Sequence, residues 1–311
     1  MKAVQSKWLF LIFLSLIWGS SFILIKRGLV GLSPFQLGSL RMIFAATLLL
    51  LIGFKSLRKI KQHQWKFIAL TAMMGTFFPA YLFAIAQTQI DSSISAILNS
   101  LTPLGTLVLG ALVFGLSFQR RQIFGVIIGL IGSALLVLSG AVNHPGQNYW
   151  FATLAIAGAL CYSLNVNLIK KYLSDLTPLS ITVGNFAVLL IPAFIVLCCS
   201  NFFEIAHLPS VKTSMFFVGI LAIAGTCVAN VVYFKLIQIS EQYLIRSEAR
   251  ARQGHISGAQ EDLNEVRSRA GLDDTTAGTA NELLNAIISE RRFEFFTELG
   301  MRFFDLQRTG R

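Results

Sequence analysis

The stretch that decides the fold reads LIKR at residues 24–27 and LSP at residues 32–34. The chain repeats this pattern 144 positions later, as LIKK at residues 168–171 and LTP at residues 176–178. A third match, Gly-Thr at residues 75–76 and again at 225–226, follows at an offset of 150. Matches in the same order at a nearly constant offset indicate an internal repeat.

Long apolar runs surround these matches. A bilayer core about 30 Å thick needs about 20 apolar helical residues, because backbone groups facing lipid must be hydrogen-bonded within the helix. Eight segments qualify: residues 8–27, 35–54, 66–89, 93–115, 122–141, 149–170, 179–199 and 213–237. The sequence therefore predicts an all-α, polytopic membrane protein with eight transmembrane helices.

The repeat divides these spans unequally. Residues 1–141 hold a first repeat of five helices, and residues 147–239 hold a second repeat that stops after three. A unit with an odd number of spans inserts its second copy upside down. Inverted repeats are typical of secondary transporters, whose substrate site lies at the midplane between the copies. We therefore expect a truncated inverted repeat of five plus five helices.

Basic residues in the loops predict the orientation. Loops on the side of the N-terminus carry eleven Lys and Arg residues, against Lys26, Arg27 and Lys212 on the other side. Because positively charged loops stay in the cytoplasm, the N-terminus is expected to be cytoplasmic. Lys26, Lys170 and Lys235 lie near span ends, a position typical of anchors at the membrane interface.

The charge pattern changes near residue 240. Residues 1–240 contain three acidic and sixteen basic side chains, whereas the last 71 residues contain twelve acidic side chains and ten Arg. Each charge at a helix centre costs about 2.5–3.5 kcal/mol to insert, so residues 241–311 are predicted to form a soluble helical tail. Its helices are expected at residues 243–253, 256–270 and 281–306, with glycine stops at 254 and 271. We expect the charges from Glu290 to Arg302 to form a solvated, salt-bridged face, with a partner surface as the alternative.

Several function classes are disfavoured. The bases lie in short loops and not on one soluble face, which argues against nucleic-acid binding. The four Cys residues lie inside apolar runs without metal-ligand spacing. No nucleophile–His–acid set and no phosphate-binding glycine loop is present in the sequence. We therefore predict no catalytic residue, no metal, no cofactor and no enzymatic activity.

Polar side chains at helical spacing predict a site inside the membrane. They include a stripe on the fourth span, at residues 95, 99, 102 and 106. We expect a substrate cavity lined by Trp18, Ser21, Arg41, Tyr81, Asn99, Thr102, Tyr162, Asn165, Asn230 and Tyr233. For each polar residue the alternative is a hydrogen bond between helices. Arg41 is either a substrate anchor or gating contact, or a structural residue bonded to carbonyls.

Residues 5–239 resemble a known family. The motifs are LIWGSSF at residues 16–22, Arg41, LTPL at residues 101–104 and the glycine-rich run 125–132. They resemble the drug/metabolite transporter superfamily, EamA type. The resemblance implies ten spans in two halves and movement of small metabolites or drugs across the inner membrane, often outward. The last two of those spans have no counterpart here.

The tail resembles a different family. YLIRSEARA at residues 243–251, residues 259–272 and ERRFE at residues 290–294 are similar to the C-terminal part of SusD/RagB-type outer-membrane nutrient-binding proteins. That resemblance implies a TonB-dependent channel as partner, which conflicts with a tail predicted on the cytoplasmic side. We interpret residues 239–241 as the join of a chimera. The alternative is a gene whose tail is a helical docking module.

These observations favour one function and leave a second open. The first is an inner-membrane permease, an exporter of small metabolites or drugs, with a small-molecule substrate and the lipid bilayer as partners. Loss of two spans is compatible with an inactive protein, and a homodimer stays open. The second is a membrane-tethered SusD-like binding or interaction module of a nutrient-uptake system.

Overall fold

The computed structural model describes residues 2–114, 120–143, 146–173, 175–229, 243–269 and 272–294. These residues form helices, turns and loops without a strand, which confirms the all-α prediction for the described part of the chain. The chain divides into two compact units. We call Leu16–Ala229 the membrane unit, and we call the described residues 243–294, which belong to the second unit, the tail.

The helices of the N-terminal 229 residues follow the predicted apolar runs. They are α1 (Lys2–Gly28), α2 (Pro34–Gly53), α3 (Trp65–Ala72), α4 (Phe78–Gln89), α5 (Ser92–Asn99), α6 (Thr102–Phe114), α7 (Arg120–Asn143), α8 (Ala152–Tyr172), α9 (Pro178–Cys198), the single turn α10 (Phe202–Ile205) and α11 (Pro209–Ile220). A π-helical turn, Met73–Phe77, joins α3 to α4, and a longer one, Leu221–Val228, extends α11.

Six helical segments within the described residues are long and apolar enough to cross a membrane. They are Pro34–Lys59, Gln62–Gln89, Ser92–Phe114, Tyr149–Tyr172, Pro178–Cys198 and Pro209–Val228. Large apolar side chains such as Leu51, Leu112 and Ile191 are exposed on their outer surfaces. Exposed apolar surface of this extent is typical of contact with lipid and not with water. The prediction of a membrane protein is therefore confirmed.

The fourth predicted span is broken, whereas residues 93–115 were expected to form one continuous helix. The chain leaves α5 after Asn99 and begins α6 at Thr102. Pro103 explains the break, because its ring would clash with the carbonyl of the residue four positions earlier, Asn99. The hydroxyl of Thr102 donates to that carbonyl instead, at 2.8 Å.

The described helices of the membrane unit pack mainly against α2, α8 and α9. Helix α2 lies along α9, and α8 packs against both α4 and α6. Buried Leu49 and Val183 belong to the apolar cluster between α2 and α9. A second cluster, around Phe83 and Ala155, fills the contact between α4 and α8.

The repeated sequences adopt matching local structures. Ser33 caps α2 by accepting a hydrogen bond from the backbone N–H of Gln36, and Thr177 caps α9 in the same way from Ser180. Both caps precede a proline at the first helical position, which is preorganised for a helix start. Both Gly-Thr pairs lie inside the two π-helical turns. The matches in sequence therefore extend to backbone conformation.

The tail has a folded core of its own. Residues 243–252 form α12, followed by α13 (Ile256–Arg269) and α14 (Ala280–Glu294). Leu244, Leu263 and Leu283, one from each helix, are fully buried together. The predicted stop at Gly254 is confirmed: its φ of 79° permits a left-handed cap. There the N–H groups of His255 and Gly254 donate to the carbonyls of Arg250 and Ala251, which closes the helix in a Schellman motif.

Buried ion pairs join the helices of the tail. Asp262 is 1% exposed and accepts hydrogen bonds from Arg246, at 2.5 and 2.8 Å, and from Arg250, at 3.0 Å. The hydrogen bond that Arg246 donates to Asp262 raises the pKa of Arg246. Glu290 is 2% exposed and pairs with Arg267 at 2.9 Å, and burial raises the pKa of this carboxyl group. The expectation of a solvated face is therefore wrong at Glu290, which turns inward because α13 supplies an arginine.

Candidate substrate site

Two of the predicted site residues contact the π-helical turns in equivalent ways. A Cβ atom added to Gly75 would lie 2.6 Å from Cγ and Nδ2 of Asn165, and one added to Gly225 would lie 3.0 Å from Oγ of Ser21. Ser21 and Asn165 are 144 positions apart, the offset of the repeat. Each copy thus sets a small polar side chain against the glycine of a π-helical turn. Turns of this kind are rare and frequently occur at functional sites.

Aromatic rings lie one helical turn from these contacts. Tyr162, three positions before Asn165, stacks on Phe83 with ring centroids 5.9 Å apart. Phe83 in turn meets Phe22 edge to face at 5.7 Å. Trp18 is the repeat counterpart of Tyr162 and is 43% exposed.

Tyr81 is held from three directions. Its hydroxyl hydrogen-bonds Oγ of Ser39 at 2.9 Å, inside the protein. Its ring packs so close to α2 that a Cβ atom on Gly38 would lie 2.6 Å away, and Phe77 meets it edge to face at 5.0 Å. These contacts fix the ring against α2 beside the first π-helical turn.

Arg41 lies on α2 one turn after Gly38 and is half-buried. Because Gly38 contacts the Tyr81 ring, Arg41 lies one turn from that contact on the same helix. No ion pair or hydrogen bond joins its side chain to another described residue. The structure thus brings Tyr81 and Asn165 to the first π-helical turn and places Arg41 one turn from the contact between Gly38 and Tyr81.

Asn99 and Thr102 lie at the break between α5 and α6. Beyond its bond to the Asn99 carbonyl, the Thr102 hydroxyl lies 3.4 Å from Oδ1 of Asn99. The Thr102 carbonyl accepts from Ser163 at 2.8 Å, and the Thr106 carbonyl accepts from Asn167 at 3.0 Å. These bonds tie α6 to α8. Asn230 and Tyr233 lie outside the described residues.

Sequence reasoning missed three polar residues that hold helices together. Ser163 and Asn167 are four positions apart on α8, a spacing that could have indicated a helix contact. Lys26 was expected to anchor at the interface, but its ammonium group donates to the carbonyls of Gln87 and Ile90 at 2.6 and 3.0 Å. It satisfies carbonyl groups at the end of α4, where the helix dipole favours a positive charge.

Apolar helices long enough to cross a membrane, with sequence matches that recur in the same local structure, are typical of one class of protein, the membrane transporters. Residues 6–138 match the EamA-like transporter family, and residues 230–311 match the SusD family. Both resemblances predicted from the sequence are therefore confirmed, and the class is that of a transporter.

Individual relatives agree with this class. The chain is 28% identical over 233 residues to the "Uncharacterized inner membrane transporter YedA" of Escherichia coli strain K12, covering 72% of each chain. It is 29% identical over 143 residues to the "Probable amino-acid metabolite efflux pump" of Salmonella typhimurium strain LT2, covering 45% of this chain and 46% of that one. A solved structure described as "Crystal structure of protein" aligns with a TM-score of 0.52 at 16% identity, over 93% of this chain and 96% of the other. That last likeness concerns the fold alone.

Proposed function

We propose that the protein is an inner-membrane exporter of small metabolites or drugs whose site lies between the two copies of an inverted repeat. The observation that carries this proposal is the pair of equivalent contacts, Asn165 on Gly75 and Ser21 on Gly225. Names of the relatives, an inner membrane transporter and an efflux pump, support the location and the outward direction.

The proposal includes eight spans. Helix α1 has 27 residues and α7 has 24, and both are apolar enough in sequence to add a span: α1 before the six already identified, and α7 between the third and the fourth of them. On α7, Phe124, Ile128 and Leu135 are exposed, which is the pattern of a lipid-facing helix. With these two helices, consecutive spans alternate in direction and the second copy is inverted relative to the first.

Contacts at the span ends support this alternation. One set joins the ends that eight spans would place outside: Lys26 to Gln87, Gln36 to the carbonyl of Ser200, and Asp91 to Gln147. Another joins ends that they would place inside, where Gln64 donates to both carboxylate oxygens of Asp175 at 2.7 and 2.9 Å. No such bond joins an outer to an inner end among the described residues. With the N-terminus in the cytoplasm, the basic loops fall inside.

In the mechanism that we propose, Tyr81 and Tyr162 offer an apolar wall, while Asn165 orients the ligand. The π-helical turns are positions where a helix bends readily, because the regular bonding pattern is already interrupted. Opening and closing the site on each side would then be a movement of one copy against the other.

The proposal can be tested by filling the contact at Gly75. Wild-type chain, Gly75→Leu and Gly219→Leu are produced in a bacterial host, and extracellular metabolites are compared by mass spectrometry at matched membrane levels. A side chain on Gly75 meets Asn165, whereas Gly219 has open space around it. We expect the wild type and Gly219→Leu to raise a set of small metabolites outside the cell and Gly75→Leu to lose most of this effect. Identical profiles for the wild type and an empty vector would refute export.

The tail supports a second candidate function. Its own apolar core and buried ion pairs show a folded unit, which favours a binding or interaction module tethered to the membrane. Deletion of residues 241–311 separates the two functions. Export that survives the deletion assigns transport to the membrane unit, and loss of a bound partner without loss of export assigns a separate role to the tail.

A further inference from the structure

Arg41 places a charge inside the membrane unit that no described residue compensates by an ion pair. It is seven residues after Pro34, which at 1.5 Å per residue puts it about 10 Å along α2. A charge near the middle of a span costs about 2.5–3.5 kcal/mol, so such residues pair with a partner or serve a function.

No carboxylate of residues 16–229 is available to compensate this charge. That range contains three: Asp91, Asp175 and Glu204. Asp91 binds Gln147 in the loop before α8, and Asp175 binds Gln64 and Lys61. Glu204 lies in the short helix α10 at the end of a span. All three therefore lie at the ends of the bundle, away from the middle of α2.

Only the first copy of the repeat has a charged residue at the position of Arg41. Position 185 on α9, seven residues after Pro178, corresponds to Arg41 and is Asn185. Its side chain hydrogen-bonds the hydroxyl of Thr71 at 3.0 Å inside the protein. A structural requirement shared by both copies would place similar residues at both positions. Arg41 thus marks a specific feature of the first copy.

The site residues grouped around the first π-helical turn include a polar atom that a ligand would satisfy. Oδ1 of Asn165 is buried and accepts no hydrogen bond from any described residue. Tyr162 and Tyr81 add aromatic surface, and neither ring carries a charge. A buried acceptor without a donor costs about 1–3 kcal/mol, which a ligand N–H or O–H would remove.

We propose that Arg41 binds the carboxylate of the transported solute, a small monoanion with an apolar or aromatic body. This inference rests on the proposed function and names the substrate class of the same site. A guanidinium group matches a carboxylate with two parallel N–H···O bonds. The solute carries a single negative charge because Arg41 is the one base of the described membrane unit that lies away from the span ends. The nearest alternative, Lys26, is occupied by carbonyl groups.

The experiment uses an arginine reagent and a matched pair of probes. The full chain in native membranes is treated with phenylglyoxal, and modification of each arginine is followed by peptide mass spectrometry. 3-Phenylpropionate is compared with 3-phenylpropanamide, which has the same body without the charge. Arg58, exposed in the turn after α2, serves as the internal control. We expect the carboxylate to slow modification of Arg41 at least threefold, with no effect of the amide and no effect of either probe at Arg58.

Each other outcome overturns the inference. Failure to modify Arg41 while Arg58 reacts would show that solutes do not reach it. Equal protection by both probes would show that the apolar body and not the charge is recognised. Modification without protection would exclude a carboxylate site.

A second measurement separates this inference from the proposed function. In the export assay, Arg41→Gln is expected to reduce export of carboxylate-bearing metabolites by about tenfold or more, as removal of one charged hydrogen-bond partner implies. Arg27→Gln, an exposed charge at the end of α1, should leave export unchanged. Protection of Arg41 without any export would disprove the transporter and leave the carboxylate site standing. Export of carboxylates that is unchanged in Arg41→Gln would disprove the carboxylate site and leave the transporter standing.

Discussion

The membrane unit and the tail bury their polar groups in different ways. In the tail, buried Asp262 and Glu290 are ionic partners of arginines. In the membrane unit, several buried side chains donate to uncharged backbone carbonyls, as Ser163 does to Thr102 and Asn167 does to Thr106. Lys26, which is charged, also donates to carbonyl groups.

The difference reflects the surroundings of the two regions, which are water at the surface of the tail and lipid at the surface of the membrane unit. Arg246 and Arg250 keep 55% and 34% of their side chains exposed, so water continues to solvate them while they hold Asp262. A helix in lipid has no water at its surface, and a carbonyl partner satisfies a donor without adding another charge to desolvate. Buried acids of the tail are therefore stabilised by arginines, whereas these donors of the membrane unit are stabilised by backbone carbonyls.

The strongest test of this comparison is Asp262→Ala in the full chain. Removing the carboxylate leaves two arginines facing each other without their partner, and we expect the free energy of opening of the tail to fall by about 2–4 kcal/mol. Hydrogen exchange of peptides from residues 243–269, followed by mass spectrometry, measures that free energy.

Glu261→Ala is the matched control for this variant. Glu261 is the adjacent acid and is exposed, so its loss should change the opening free energy by less than about 0.5 kcal/mol. Equal effects of the two variants would mean that the buried pairing does not hold the tail together.

In the membrane unit, Lys26→Met is expected to have a smaller effect. It removes two charge-assisted bonds to the carbonyls of Gln87 and Ile90, and a net loss of about 1–2 kcal/mol follows. All four tryptophans of the chain precede residue 151, so tryptophan fluorescence during unfolding in detergent reports on the membrane part and not on the tail. Lys212→Met, an exposed lysine at the start of α11, should leave the unfolding midpoint unchanged. A midpoint that is the same for both variants would contradict the capping role of Lys26.

Much of the fold follows from the sequence because its causes are local. Apolar length predicts the spans, Ser33 and Thr177 before prolines predict helix starts, and Gly254 predicts a stop. The break before α6 was also encoded locally, in Pro103, but the hydropathy of residues 93–115 concealed it. Local sequence thus decides where each helix begins and ends.

The site was only partly predictable, because partners across helices are chosen in three dimensions. The spacing of Tyr162 and Asn165 indicated a shared face, and the structure places Asn165 of that face against Gly75. Nothing in the spacing of Thr102 and Thr106 revealed that their carbonyls, and not their hydroxyls, would meet α8. Nor could the run at residues 290–294 show that Glu290 turns toward Arg267, since that depends on how α14 packs on α13.

The membrane unit and the tail also differ in how they cap helices, as α2 and α14 show. Helix α2 begins with a capping box in which Ser33 and Gln36 exchange hydrogen bonds, and the amide of Gln36 also donates to Ser200 at 2.7 Å. Helix α14 begins with the same arrangement, but Glu282 replaces the amide and accepts from the N–H groups of Gly278 and Thr279 at 2.9 and 3.1 Å. A capping carboxylate gains from the positive end of the helix dipole, and a capping amide does not titrate.

The smallest expected effect is therefore a pH dependence confined to the tail. Hydrogen bonds from the N–H groups of Gly278 and Thr279, and then from the Thr279 side chain, lower the pKa of Glu282 below its ordinary value of 4.5. A lowered pKa in the folded state stabilises the fold above the unfolded value, and the stabilisation is lost as the pH falls through the folded value. Wild-type α14 should thus be more protected than Glu282→Gln at pH 7, and the difference should shrink progressively as the pH falls below 4.5. Hydrogen exchange at residues 283–287, corrected for the intrinsic rate at each pH, measures it, and the buried Glu290 cancels because both proteins contain it. A difference that persists unchanged to pH 3 would mean that shape and not charge makes the cap, as at Gln36 in α2.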